Sequence, residues 1–458
     1  MAGSVRLAVV GDIMLDEYIL STPERISPEA PVPVARVKSK DYRLGGAANV
    51  AANVLALGAD VVLFGLVGKD DSGDVLRSKV QDMGIDTRGI ITDSSRLTTL
   101  KTRVVALPTR QQLLRLDKED GKDVSEIRVG EVLRRLQDLG PFDALLVSDY
   151  RKGMVVPGLV EGIVGLLPGV PVLVDPKGED FSLYRGAFLV KPNRGEALAL
   201  APTVEEGVAE VFYQADCRWV LVTLGGDGMV LFCRDGSVDR FSAHAREVYD
   251  VTGAGDTVLA ALGVFLAEGV AMKEAVGMAN LAAGLVVEKM GTAVVTREEV
   301  ERSCLGHGKM VSPGVLKSIL AGLKDRGKRV VFTNGCFDLL HPGHLDLLRQ
   351  AKAQGDVLVV AINSDDSVRR LKGPGRPVFD QEERAMLLAG LEFVDFVTVF
   401  DEETPYRIIS LLRPHVLVKG GDYELEEVVG RDLVDQVVLV PLKEGYSTSV
   451  LIDRIRRC

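Results

Sequence analysis

Cysteine is scarce in this chain. Its five residues, Cys217, Cys233, Cys304, Cys336 and Cys458, lie far apart among 458 and form no C-x-x-C. Such spacing excludes a disulfide framework or a cysteine zinc site and points to a reducing, cytoplasmic compartment. Aromatic residues make up only 5%, so the cores must be built mainly from Val, Leu, Ala and Ile, as in α/β sheets. Basic charge is not in excess, because 55 Lys and Arg stand against 65 Asp and Glu for a net charge of −10. Phosphate-backbone binding needs a dominant basic surface, so a nucleic-acid partner is excluded, whereas a nucleotide needs only a few local cations and amides. Long apolar runs are missing too. Residues 258–267 give about half of the roughly 20 residues that span a bilayer. The apolar residues 7–10 stop at Gly11 and Asp12, far short of a secretory h-region, and no membrane partner is expected.

What is present is a globular composition, 47% hydrophobic and 26% charged, with 48 glycines spread throughout. The length is that of two or three domains. Short β-type runs alternate with longer helical patterns, which predicts parallel α/β sheets. Strands are expected at 7–10, 61–66, 144–147, 172–174, 219–223 and 229–232, and helices at 47–57, 130–139, 257–267 and 273–288. Residues 304–314 are rich in turn formers and read as a linker. Beyond them a helix at 315–325, a strand at 329–333, a helix from Pro342 and a strand at 357–362 are expected. No internal repeat is visible. The expected division is a kinase-sized domain at 1–303 and a smaller α/β domain at 315–458.

Two glycine-bearing motifs mark the first half. Gly45, Gly46, Ala47, Ala48 and Asn49 open a helix, where the glycines let backbone approach a ligand and Asn49 offers a polar group. A tight turn before a core helix would look the same. The second motif, Asp250, Val251, Thr252, Gly253, Ala254, Gly255, Asp256 and Thr257, runs directly into an apolar helix. Unpaired N–H groups at such a start cradle a phosphoryl group in transfer, and Asp256 sits where a carboxylate accepts the proton of an attacking hydroxyl. Aspartate also caps helices, but a cap does not account for the preceding Gly-Ala-Gly. Between the motifs, Asn193 and Glu196 follow a strand and suit Mg²⁺ held through water. Thr223, Gly225 and Gly228 follow another strand and suit a loop close to a nucleotide.

In the second half an apolar strand ends in Asn334, Gly335, Cys336, Phe337 and Asp338, followed by His341, Pro342, Gly343 and His344. Pro342 suits the first helical position, so the helix begins beside the histidines, which project to one side near its positive end. Two imidazoles and free amides make a site for polyphosphate. A zinc site would need further ligands, and the remaining histidines, His244, His307 and His415, are distant in sequence; no metal site is expected from protein side chains alone. Downstream, Arg369, Arg370, Lys372 and Arg376 supply cations, or else form a solvated basic face.

On these motifs residues 1–303 resemble the ribokinase (PfkB) sugar-kinase family, and 315–458 resemble the cytidylyltransferase-like family with its G-x-F-D-x-x-H-x-G-H hallmark. The first resemblance implies a ribokinase fold, ATP, Mg²⁺, a base at Asp256, an anion hole at Gly253, Ala254 and Gly255, and sugar contacts at Asp16, Gly45, Gly46 and Asn49. It also implies a nucleotide site at Asn193, Glu196, Thr223, Gly225, Gly228 and Asn280, and a monovalent cation near Asp250 and Thr252. The second implies a Rossmann-like domain that joins a phosphorylated alcohol to a nucleoside triphosphate and releases pyrophosphate. Its histidines, with Phe337, Lys372, Arg376, Ser447 and Thr448, would handle the nucleotide; the arginine common close behind the Ser/Thr motif is missing, the next being Arg454.

The order of the modules, with the runs 11–16, 25–34, 111–117, 148–150, 175–178, 363–365, 376–378 and 419–423, resembles the family of bifunctional heptose 7-phosphate kinase/heptose 1-phosphate adenylyltransferases over nearly the whole chain. The proline-rich run 25–34 is expected as an extended loop lining the sugar pocket. Where the family tends to carry asparagine, Arg110 stands before Gln111. The resemblance implies phosphorylation of heptose 7-phosphate at O1 and transfer of adenylyl from ATP to heptose 1-phosphate, giving ADP-heptose for lipopolysaccharide. The first product carries two phosphates and the second reaction uses one, so a separate phosphatase must act between them. A homodimer through the kinase domain is expected as well. The rivals are a kinase fused to a cytidylyltransferase for another alcohol phosphate, and a scaffolding protein with degenerate sites.

Overall fold

Val-, Leu- and Ala-rich runs too short for helices become central strands because both faces of a parallel sheet are covered by helices. In the computed structural model, residues 4–441 are described except 108, 110, 244–249, 290–292, 308 and 422–423. The chain forms two compact units, Met1–Val300 and Glu301–Cys458.

In the first unit nine strands form one sheet, in the order Val238–Phe241, Met229–Cys233, Trp219–Thr223, Leu189–Val190, Val172–Asp175, Ala144–Ser148, Arg6–Gly11, Asp60–Gly68 and Ile90–Asp93. Pairing is parallel except for Met229–Cys233 and Val238–Phe241 at one edge. Leu7 to Val10 and Ala144 to Val147 are fully buried, as central strands require. Helix Ala254–Ala267 is apolar all round and buried from Asp256 to Phe265. It packs closely on the sheet: a Cβ on Gly263 would lie 2.5 Å from Leu146 Cδ2.

A feature absent from the sequence reading is a second, four-stranded sheet, ordered Pro33–Gly46, Ile13–Ile26, Thr99–Ala106 and Gln112–Lys118. Its strands mix charged and apolar residues and are exposed over long stretches, so they lack the apolar run that marks the central strands. The run 25–34 spans the facing ends of the two fourteen-residue strands and the exposed turn that joins them, closed by Ser27 N donating to Val32 O at 2.9 Å.

The second unit has five parallel strands in the order Phe396–Phe400, Val357–Asn363, Val330–Gly335, Val416–Gly420 and Gln436–Val440. The first strand in sequence is central, so strand order reverses beside it, where α/β sheets open a crevice for ligands. The segment 304–314 overlaps two helices with a short connection between them. Helix Arg297–His307 continues through its first four residues, and Pro313 at the first helical position opens Pro313–Asp325.

Candidate active sites

The first site is assembled at two helix starts. Gly46 caps helix Ala47–Ala56 with φ +56°, and a Cβ there would lie 2.3 Å from the Asp12 carbonyl, so only glycine fits. This turn sets Asn49 in the first helical turn. Gly253, with φ +82°, does the same for helix Ala254–Ala267 and sets Asp256 in its first turn. The two side chains meet: Asn49 Nδ2 donates to Asp256 Oδ2 at 2.7 Å. From a third direction Tyr150 OH donates to Asp256 Oδ1 at 2.9 Å. Asp256 is only 3% exposed, and burial foremost raises its pKa to about 7, with Asp175 adding to the rise and Asn49, Tyr150 and Lys191 opposing it. A carboxylate poised near neutrality is suited to accept a proton.

The other expected sugar residues border this point. Gly45 has no side chain to obstruct Asp16, whose Oδ2 would lie 3.0 Å from a Cβ there. Asp16 is buried and accepts from Arg103 Nη1 at 2.5 Å. Of the three expected anion-hole residues, Ala254 already donates its N–H to Val251 O at 3.3 Å, while the first-turn amides of Gly255 and Asp256 have no acceptor within the helix ladder.

A cleft of about 520 Å³ runs past Gly255 between Asp149, Tyr150, Asp175, Lys191, Asn193, Glu196 and Thr223. It shares Thr223, Gly225, Val251 and Gly255 with an apolar recess of about 240 Å³ that Gly228, Met229, Val258, Asn280 and Val287 also line. Thus Thr223, Gly225, Gly228 and Asn280 come together as expected of a nucleotide pocket. Asn280 donates to Ser242 O at 2.7 Å. Asn193 and Glu196 form a reciprocal cap of helix Arg194–Leu200, and Glu196 also accepts from Lys177 Nζ at 3.0 Å. Lys191, buried, pairs with Asp175 at 2.9 Å where the cleft passes Gly255. From sequence alone Tyr150, Asp175 and Lys191 carry no assigned role; their signal is position, each lying at or just beyond the C-terminal end of a parallel strand. Asp12 went unassigned too. Buried at 3% exposure, it accepts N–H groups from Tyr150, Lys152 and Met154 at 2.8, 2.9 and 3.0 Å, so it shapes the turn that presents Tyr150.

The second site follows strand Val330–Gly335. Phe337 adopts φ +46° and is buried. His341 caps helix Pro342–Lys352, with proline at the first helical turn. The His341 and His344 rings stack at 3.7 Å and 18°, and Phe337 lies 5.0 Å from His344. Burial lowers both imidazole pKa values; for His344, burial first and His341 second bring it to about 4. Both rings are therefore neutral at pH 7 and act as hydrogen-bonding groups, with the helix start supplying the positive potential.

Of the expected cations, Arg376 is tied to the buried Asp338, which also accepts from Val378 N at 2.6 Å. Arg369 and Arg370 pair with Asp366 and Asp401, as a solvated face would. Lys372 is exposed at the end of helix Asp365–Lys372, and its charge acts on Cys336. Ser447 and Thr448 lie outside the described residues. Two residues given no role stand out. Arg384, fully buried, donates to the carbonyls of Phe379 and Cys336 and to Asp365. Lys419 donates to Asn334 Oδ1 at 2.5 Å beside the switch point, and burial brings its pKa down to about 8. Among the described residues no cluster of three metal-ligating side chains occurs, and no helix is long and apolar enough to cross a membrane.

Comparison with known proteins follows the same division. Residues 5–149 and 166–299 match the pfkB family carbohydrate kinases, and 332–454 match the cytidylyltransferase-like family. The "Bifunctional protein HldE" of Geobacter metallireducens is 46% identical over 476 residues, 100% of this chain and 96% of that protein. That of Geobacter sulfurreducens is 46% identical over 475 residues, 99% of this chain and 96% of that protein. Among solved structures, Arabidopsis thaliana ribokinase complexed with ribose and ATP aligns with a TM-score of 0.52 at 22% identity, covering 66% of this chain and 98% of that one. Escherichia coli phosphofructokinase-2 in complex with potassium gives 0.55 at 19%, covering 65% and 97%; at these identities the likeness concerns the fold. With both modules matched in order and nearly full-length relatives at 46% identity, the chain belongs to the bifunctional HldE family, a pfkB-type carbohydrate kinase joined to a cytidylyltransferase-like domain.

Proposed function

We propose that the first unit phosphorylates heptose 7-phosphate at O1 with ATP, and that the second joins heptose 1-phosphate to ATP, giving ADP-heptose and pyrophosphate. The observation that carries the kinase reading is the buried Asp256 carboxylate, held between Asn49 and Tyr150 at the start of helix Ala254–Ala267 and beside a nucleotide-sized cleft. Asp256 takes the proton of the sugar O1 hydroxyl as that oxygen attacks the γ-phosphorus of ATP. The bond to the β–γ bridging oxygen breaks, and ADP leaves. The amides of Gly255 and Asp256 face the transferred group, and Lys191 adds positive charge near Gly255. Asn193 and Glu196 would hold Mg²⁺ through water, and the ion would neutralise phosphate charge. A monovalent cation beside Asp250 and Thr252, where Thr252 N donates to Asp250 Oδ1 at 2.9 Å, would steady the anion hole.

In the second unit an oxygen of the sugar phosphate attacks the α-phosphorus of ATP, and pyrophosphate leaves. The neutral imidazoles of His341 and His344 hydrogen-bond the phosphates at the positive end of helix Pro342–Lys352. Because the bisphosphate product of the first reaction is not the substrate of the second, a phosphatase acts between them. Exposed apolar residues on the four-stranded sheet, among them Val37, Leu114 and Leu116, support a dimer through the kinase unit. The described cysteines, Cys217, Cys233 and Cys336, are all free, which suits the cytoplasm.

Phosphorus NMR of each half-reaction with the purified protein tests the proposal. Heptose 7-phosphate and ATP should give a new anomeric phosphate and ADP; heptose 1-phosphate and ATP should give a diphosphate ester and pyrophosphate. Preference for CTP in the second reaction would favour the cytidylyltransferase rival, and ATP binding with turnover of neither sugar phosphate would favour a scaffold.

A further inference from the structure

The four-stranded sheet carries a ladder of charges on the face that holds Asp16. Directly opposite one another across its strands stand Arg43, Asp16, Lys101 and Asp117 at one rung, and Asp41, Tyr18, Arg103 and Arg115 at the next. Residues facing each other in register project to the same side of a sheet. Within this ladder each carboxylate is matched by an arginine: Arg43 with Asp41 at 3.0 Å, Arg103 with Asp16 at 2.5 Å, and Arg115 with Asp117 at 3.0 Å. Lys101 is the cation left over. It is half-buried, and the contact of its ammonium is the face of the Tyr150 ring, 5.5 Å from the centroid. Tyr150 is the residue whose hydroxyl reaches Asp256. An ammonium with no salt-bridge partner among the described residues therefore stands on the sugar side of the base, under the pull of Asp16 and over the Tyr150 ring.

Burial lowers the Lys101 pKa, with Lys152 adding to the fall and Asp16, Asp117 and Glu119 opposing it. A half-buried ammonium that no carboxylate meets in a salt bridge gains from a ligand that supplies the counter-charge. The nearby kinase cations are already engaged: Lys191 with Asp175 and Lys152 with Glu119.

We propose that Lys101 is a specificity-determining residue of the kinase unit and binds the phosphate that the acceptor sugar already carries. The inference rests on the reading of the first unit as a kinase of a sugar phosphate. It explains how a site whose carboxylates would repel a dianion can favour a phosphorylated sugar over the free one. The phosphate displaces no ion pair, because every arginine of the ladder keeps its carboxylate.

The test is Lys101→Met in the full chain, with heptose 7-phosphate and unphosphorylated heptose compared as acceptors. Wild-type turnover of heptose 7-phosphate tests the kinase reading by itself, and the variant tests Lys101. Losing one charge-assisted phosphate contact should raise KM for heptose 7-phosphate by about 10- to 100-fold. The preference for the phosphorylated acceptor should fall by a similar factor, while KM for ATP and adenylyl transfer to heptose 1-phosphate stay within about twofold. Lys101→Arg should restore most of the preference. A KM for heptose 7-phosphate that does not move, or an equal loss with both acceptors, overturns the proposal. A rise in KM for ATP alone overturns it as well, by assigning Lys101 to the transferred phosphoryl group. Should the methionine variant unfold, Lys101→Gln decides by the same acceptor ratio.

Discussion

Replacing Asp256 by asparagine should weaken catalysis and strengthen the fold at the same time, and the structure fixes the sign of both effects. Burial holds the Asp256 pKa at about 7 against 3.8 for a free aspartate. The folded state therefore binds a proton that the unfolded chain releases, so stability falls as pH rises from about 4 to about 7 and the full penalty is present above that. The difference corresponds to an upper bound of about 4 kcal/mol. Asparagine carries no charge and can still accept one of the two hydrogen bonds from Asn49 and Tyr150, so a net gain of about 1–3 kcal/mol is expected near pH 8. Calorimetry of the full chain should show the kinase transition rising by about 2–5 °C near pH 8 and much less near pH 5, where the wild-type carboxylate is already protonated. In parallel, kinase kcat/KM should fall by about 10²- to 10⁴-fold. The wild-type rate should itself drop about fivefold from pH 7 to pH 6, as the base protonates. A wild-type profile flat across that range, or a variant no more stabilised at high pH than at low, would refute the account of Asp256 as a buried, neutral-poised base.

His344→Ala should lower adenylyl transfer by about 10²- to 10³-fold and leave the kinase reaction unchanged, measured as pyrophosphate and ADP release from the same preparation. Tyr150→Phe removes a hydrogen bond that favours the Asp256 carboxylate, so the acid limb of the kinase pH profile should move to higher pH; a limb that stays in place contradicts that role. Asp12→Asn leaves three backbone N–H groups short of a charged acceptor and should cost the kinase unit about 2–4 kcal/mol in chemical denaturation.

The central strands and the helices behind both motifs were legible because burial on both sides writes itself as an apolar run: Leu7 to Val10 and Val258 to Phe265 are examples. The four-stranded sheet was not, because strands such as Pro33–Gly46 carry Lys38, Lys40, Asp41 and Arg43 on an exposed ribbon, where neither run nor clean alternation survives. The meeting of Asn49 with Asp256 joins residues 207 apart, and only the family resemblance set them in one site. Tyr150 and Lys191 had no local motif to single them out, since their roles come from where parallel strands end. The protonation states were out of reach for the same reason: neither the rise at Asp256 nor the fall at His344 is a property of residue type, and both are led by burial.

That common cause links two chemistries which look opposite. At Asp256 desolvation raises a carboxylate until it is a base near neutrality; at His344 it lowers an imidazole until the ring is uncharged. In both places the helix start adds positive potential where phosphate binds, which spares Asp256 and His344 from a permanent charge, while Lys191 beside Gly255 stays paired with Asp175. A site built this way suffers less from an unpaired buried ion between turnovers, and it gains positive field where negative charge gathers during the reaction. Lys101 departs from that economy, and the departure is informative. An ammonium beside the sugar site with no salt-bridge partner among the described residues fits a ligand that brings a negative charge of its own.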